Sequence, residues 1–351
     1  MIAFFPEPYP DELAYSWFSR YHVRSGHTTF STTAADLFVE YGKRPSIEFI
    51  IPLTDEAKAA IEHYMPYKKF LEKHTMFPYY ARFIPLERRL SAWELIQEGD
   101  RRFADALYIT KSKAIQRTHV RYCPICAQAD RGQHGETYWH RSHQLPWVSI
   151  CSKDRCRLLN STISLVGAGH GFHLTSAEEV VPYDSPVDTT VSDLEWSIAR
   201  FVTQVFNADI SLKNDVPVGK FIRSRLEGTK YTSLRGEQVF ARLLFQDLQQ
   251  HYGDLLPNTL SAWFHIQKVC GAQNFHTYDI CLLALYLDIP IEDLLDMKLP
   301  ELTLQQRFDA RLRELRSQGL TQKQTAEIMG VSLDAIKGVE EKRYRSTRVP
   351  V

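Results

Sequence analysis

Two cysteines three positions apart, Cys123-Pro-Ile-Cys126, restrict the fold of this chain more than any other feature. A turn of that length aims both sulfurs at one point, the first half of a metal knuckle. Cys151 and Cys156 follow about twenty-five residues later, with the aromatic segment GETYWHR between the pairs. Residues 118–175 hold many aromatics but little continuous apolar surface, so short β-prone pieces and turns there need a staple. Four thiolates would close a tetrahedral structural Zn2+ site with no open position for water. Asp154, three residues after Cys151, also competes for the fourth position, as do His140, His143, His170 and His173. The plain alternative is four buried cysteines without metal. Cys270 and Cys281 lie on apolar helical faces and read as core.

The remainder of the chain is ordinary for a core-forming protein, with 44% hydrophobic and 24% charged residues, and 351 residues predict two or three domains. Lys plus Arg equals Asp plus Glu, 42 of each, so only the distribution of charge is informative. From Lys111 to Arg157 nine basic residues face three acidic ones, whereas from Leu158 to Ile210 seven acidic residues face Arg200 alone. Such segregation predicts a basic face for phosphate around the knuckle, through Arg121, Arg141 and His143. No apolar run is long enough for a membrane span, and the start, MIAFFPEPYPDEL, is no signal peptide. Sparse cysteines with a CxxC pair predict a reduced compartment, the bacterial cytoplasm beside the nucleoid.

Periodicity predicts a mainly α protein. An N-terminal helical domain (1–117) opens on the strap FFPEPYP, after which Asp11 caps a helix to about Val23. Further helices are expected at about 31–41, 55–73 and 91–107. The small zinc-knuckle unit (118–175) precedes an acidic linker and helix (176–215). A helical domain (216–300) and a C-terminal unit (301–351) complete the chain.

Two segments have the pattern of a helix-turn-helix. In the stronger, LTQKQTAEIMGVSLDAIKGVEEKR, Thr321 caps a helix carrying Ala326, Ile328 and Met329, Gly330 permits a tight turn, and Ser332 caps a second helix with Ile336 and Val339 inward. Thr321, Gln322, Ser332, Asp334, Lys337, Lys342 and Arg343 then face DNA. The weaker segment, KFIRSRLEGTKYTSLRGEQVFARLLF, turns at Gly228 and offers Lys230, Thr232, Ser233, Arg235 and Arg242. A generic helical packing unit is the alternative for both.

Signatures of catalysis are missing from the sequence. It has no HExxH, no GxxxxGK[ST] and no GxGxxG, so His140 and His143 read as packing or phosphate contacts rather than catalysts, and no enzyme is expected.

These blocks together resemble the TniQ/TnsD family of transposon target-site selectors. The likeness runs through FPEPYPDELAYSWFSRYHVRSG (5–26), HTMFPYYARFIPLERR (74–89) and RYCPICAQADRGQHGETYWHRSHQLPWVSIC (121–151), and is looser from 215 onward. The family has histidine three residues after the third knuckle cysteine, where this chain has Asp154. The resemblance implies a non-catalytic protein that binds double-stranded DNA at an attachment site and recruits an AAA+ ATPase regulator (TnsC-like), which calls the transposase. The alternative it carries is an adaptor docked on an RNA-guided CRISPR effector complex. The strap residues Phe4, Phe5, Tyr9 and Tyr15 are the implied ATPase-facing element, with simple packing as the competing reading.

Overall fold

The computed structural model describes residues 2, 4–40, 45–108, 118–165, 173–271 and 276–346, without the side chains of 342–346. Among them are eighteen α-helices and one two-stranded sheet, so the protein is mainly α as expected. The first seven helices are α1 (Ala14–Arg24), α2 (Phe30–Leu37), α3 (Asp55–Glu62), α4 (Tyr67–His74), α5 (Phe77–Ala81), α6 (Leu86–Glu98) and α7 (Phe103–Ala106). The single helix expected over 55–73 is two, because Pro66 lacks an amide proton and starts α4 instead of continuing α3. Asp11 does not cap α1. Leu13 is the N-cap residue, and the Asp11 carboxylate accepts the Ser142 amide at 3.0 Å.

Next come β1 (His119–Tyr122), α8 (Pro124–His134) and β2 (Leu159–Ser164). The strands are antiparallel, Arg121 opposite Asn160 and Tyr122 opposite Leu159. Helix α8 was not foreseen. It begins because the Cys123 sulfur accepts the Cys126 amide as an N-cap and Pro124 fills the first turn, and it ends at Gly135, whose φ is +80°. After it lie α9 (Ala177–Val180) and α10 (Asp193–Asn207), the latter started by a Ser192–Glu195 capping box.

The second half contains α11 (Val218–Leu226), α12 (Ala241–Tyr252), α13 (Trp263–Cys270), α14 (Thr277–Tyr286), α15 (Ile291–Leu295), α16 (Leu304–Ser317), α17 (Gln322–Met329) and α18 (Leu333–Ser346). Buried apolar side chains from Phe5 to Met297 make one contiguous core, in which α10 packs on α14 and α15. Phe308, Leu312, Ala326, Ile336 and Val339 make a second, small core confined to α16–α18. Among the described residues no helix is long and apolar enough to cross a membrane.

Candidate metal centre and nucleic-acid surfaces

Four side chains converge beside the sheet. Single ligand atoms of Cys123, Cys126, Cys151 and Asp154 all lie within 4.8 Å of one another and could hold one metal ion. The Asp154 Oδ2 atom is 2.8 Å from the Cys126 sulfur, 3.2 Å from that of Cys123 and 3.5 Å from that of Cys151. The Cys126 and Cys151 sulfurs are 3.8 Å apart. Bonds of about 2.3 Å to a tetrahedral zinc would put two sulfurs at roughly that separation.

Local folding explains the convergence. The Cys126 amide donates to the Cys123 sulfur at 3.3 Å, and the Asp154 amide donates to the Cys151 sulfur at 3.4 Å. The two turns are therefore built alike, and Asp154 occupies in the second turn the place that Cys126 has in the first. Cys156 does not. It ends the second turn, its carbonyl accepting the Cys151 amide, and its sulfur is 3.3 Å from Cys123 but outside the group of four.

The electrostatics are those of an acid-rich site. The Cys126 thiol is pushed up, first by hydrogen bonding with Cys123 and Cys151 and then by burial. Burial pushes Asp154 up too, but hydrogen bonds from the three thiols outweigh it and hold the carboxyl low. A cation there would take the place of the shared protons.

Among the histidines proposed for the fourth position, His143 comes nearest. It is buried, its Nε2 is 3.7 Å from the Cys151 sulfur, and burial lowers its pKa. His140 turns away, its Nε2 bonded to Asp130 at 2.9 Å, a pairing that raises its pKa despite burial. His173 is exposed and stacks edge-on with Phe30, and His170 lies outside the described residues.

The basic surroundings expected to meet phosphate are spent inside the molecule. Arg121 is buried and donates to the Val148 and Leu145 carbonyls, both at 2.7 Å. Arg141 is buried between Asp11, the Glu72 carbonyl and Asn207. His143 is buried against the cysteines. All three are buried, which corrects that expectation. The acidic tract folds back on three more of these cations: Arg131 pairs with Glu178, Arg155 with Asp193 and Arg157 with Glu195, while Lys111, Lys113 and Arg117 lie outside the described residues. Charge segregated in the sequence is thus paired in space.

The strap is fastened to the knuckle. Glu12 and Arg20, 0% and 1% exposed, form a two-pronged ion pair at 2.8 and 2.7 Å, and Arg20 also stacks on Tyr9 and pairs with Glu136. Tyr138 donates to the Pro10 carbonyl, Leu13 to the Trp139 carbonyl, and Tyr9 stacks on His134. Phe5 and Tyr15 are buried, so packing is their role, whereas Phe4 is exposed and Tyr9 half-buried.

In the helical half the weaker segment is not a tight-turned helix pair. A fourteen-residue connection separates α11 from α12 and contains a bridge between Thr232 and Val239. Thr232 is buried, Ser233 is half-buried in that hairpin, Arg235 is held by Asp309 and Glu237, and Lys230 is held by Asp247. Of the apolar face that the sequence predicts for this helix (Val239, Phe240, Leu243 and Leu244), Leu244 is buried with Ala241 and Leu248, whereas Phe240 and Leu243 are exposed. Arg242 alone of that set projects freely, over the Trp263 ring.

The stronger segment folds as its residues direct. Thr321 makes a capping box with Gln324, Gly330 takes φ +64° at the end of α17, and the Ser332 hydroxyl accepts the Ala335 amide. Thr321, Ser332, Asp334 and Lys337 are exposed, while Gln322 is half-buried and donates to Glu340. Ile336 and Val339 are buried as expected, and Ile328 is exposed. The side chains of Lys342 and Arg343 lie outside the described residues.

Residues 3–158 match the TniQ family. They span the strap, α1–α8 and the whole cysteine cluster. Residues 3–158 form a TniQ domain. The chain is also similar to the transposon Tn7 transposition protein TnsD of Escherichia coli, 28% identical over 155 residues. That stretch is 42% of this chain and 30% of TnsD, so the likeness reaches less than a third of the relative.

The TniQ domain match includes Cys123, Cys126, Cys151, Asp154 and Cys156, and α9–α18 lie beyond it. Its Cys151-x-x-Asp154 spacing repeats that of Cys123-x-x-Cys126, a signal present in the sequence that the preference for sulfur obscured. Outside the TniQ domain match, WFHIQK carries an aromatic pair, Trp263 and Phe264, with a cation, Lys268, one turn later.

Proposed function

We propose that this protein is a target-site selector of a transposon, binding double-stranded DNA and recruiting an AAA+ ATPase regulator, and through it the transposase, to an attachment site. The carrying observation is that the TniQ domain match coincides with one interlocked body of strap and knuckle, while α16–α18 stand outside it on their own core. In this reading Cys123, Cys126, Cys151 and Asp154 hold a zinc ion. When bound, the ion acts as a structural cross-link with four protein ligands and no open position. Phe4 and Tyr9 are the strap side chains available to the ATPase. Helices α17 and α18 act as a helix-turn-helix, Ser332, Asp334 and Lys337 at base edges and Thr321 and Gln322 beside them. No catalytic step is assigned to the chain.

Footprinting on candidate attachment sequences at several salt concentrations tests this. A site-specific duplex reader making several phosphate contacts loses orders of magnitude in affinity as salt rises. A flat salt response, or protection without sequence preference, would overturn it. The hairpin between α11 and α12 leaves a single duplex-reading unit, and this favours a second reading, an adaptor on a guide-RNA effector complex. Co-purification with such a complex and no duplex preference alone would select it.

A further inference from the structure

Helices α12 and α13 carry a continuous track of cations and rings that neither the metal cluster nor α16–α18 uses. The Arg242 guanidinium lies 4.8 Å from the centre of the Trp263 ring, Trp263 meets Phe264 edge-on at 6.1 Å, and the Lys268 ammonium lies 5.4 Å from Phe264. The order along the surface is cation, ring, ring, cation. Phe264 is 43% exposed, a large apolar surface for a helix to leave in water.

Charge makes the face one-sided. Among the described residues neither Arg242 nor Lys268 has a carboxylate within ion-pair distance. The one acid on α12, Asp247, is taken by Lys230 at 2.7 Å, and α13 has none. The other exposed positions along α12 include Gln246, Gln249 and Gln250, amides that both donate and accept. Each of the two cations lies over a ring of this pair, and no acid draws either of them away.

We infer that the α12–α13 face binds unpaired nucleic acid, Phe264 and Trp263 stacking on bases while Arg242 and Lys268 hold the flanking phosphates. An exposed Phe264 ring beside a half-buried Trp263 ring, flanked by free cations, suits a single strand, whose bases offer open π-faces. A duplex offers none, since its bases are already stacked on one another. The two free cations complement a phosphate backbone, and the one acid on these helices, Asp247, is already held by Lys230. This face is separate from the duplex-reading unit, so the inference does not depend on that reading.

The test uses the full zinc-loaded chain and fluorescein-labelled oligothymidine and oligouridine, with a duplex as comparison, read by anisotropy over a salt series. The wild-type chain binds the single strands and quenches tryptophan fluorescence, and Trp263→Phe removes that quench. Phe264→Ala weakens strand binding about ten-fold. The pair Arg242→Gln and Lys268→Gln, both on the surface, weakens it and lowers the salt slope by about 1.4, roughly 0.7 for each phosphate no longer neutralised. All three leave duplex binding through α16–α18 unchanged. Absence of strand binding overturns the inference, as does equal affinity in the charge variants, whose folding is checked by circular dichroism. Loss of duplex binding with strand binding kept defeats the selector reading and leaves this one standing. A protein partner captured on this face, with no strand binding, also overturns it.

Discussion

Asp154 lies three residues after Cys151 with its amide bonded back to that sulfur, the place that Cys126 has in the first turn. Cys123→Ser is expected to lower both zinc content and soluble yield, because a structural zinc contributes about 10–16 kcal/mol of folding free energy, comparable with the stability of a whole domain. Asp154→Ala should lower the metal content as well, whereas Cys156→Ser should keep it; metal analysis after gel filtration separates the two. Retained zinc in Asp154→Ala with loss in Cys156→Ser would assign the fourth position to sulfur. Two buried groups away from the cluster set opposite pH slopes. Burial lowers His74 to about 4 from 6.5, so its neutral form is favoured in the fold. That stability is present above the unfolded pKa and is lost as pH falls from about 6.5 towards 4, on the order of 3 kcal/mol. Burial raises Asp279 to about 7 from 3.8, so stability present below pH 4 is lost as pH rises through 7. In urea titrations at a series of pH values, His74→Gln should remove the acid-side loss and Asp279→Asn the loss on rising pH. An unchanged slope in either variant would contradict the assigned protonation state.

Helices α16–α18 show how far local chemistry goes. Capping boxes at Thr303 and Thr321, the Ser332 cap and Gly330 define their ends, and Thr321, Gly330 and Ser332 are legible as end signals in the sequence alone. Their core is small, so each member counts. Ile336→Ala is expected to cost about 2–5 kcal/mol and Thr321→Ala about 1 kcal/mol, the first melting α16–α18 in hydrogen exchange while α1–α15 stay protected. Simultaneous loss of protection throughout the chain would argue against a separate unit. Signals were equally local at α10, where Ser192 and Glu195 mark the start. They failed at α8, where the N-cap is a cysteine sulfur, and before α12, where a segment read as turning tightly at Gly228 contains a hairpin. Arg235 reads as a surface cation along the chain, but it is clamped by Asp309 from α16.

Across the whole molecule, strap and knuckle behave as one body. The buried Glu12–Arg20 pair reaches Glu136, and Asp11 is bonded to Arg141 and Ser142. Removing one partner of a buried pair leaves a bare charge, so Glu12→Ala is expected to cost about 3–5 kcal/mol. Chelation should therefore make the strap, 4–13, as well as the knuckle, 118–165, susceptible to protease. Cleavage confined to 118–165 would show the two to be independent. We further propose 301–351 as a unit hinged at the exposed 298–302 segment, leaving α1–α15 as one body, because a single core crosses the boundaries expected at 117, 175 and 215.

The sequence by itself determined the mainly helical class, the knuckle cysteines and the caps of the last three helices, since each depends on residues within a turn or two of one another. The tertiary structure decided the rest. It set Asp154 among three sulfurs, buried Arg121, Arg141 and His143, and paired the basic stretch with the acidic one. Those outcomes depend on which distant segments share a low-dielectric interior, where a charge must find a partner or stay out. Spacing along the chain does not record that choice.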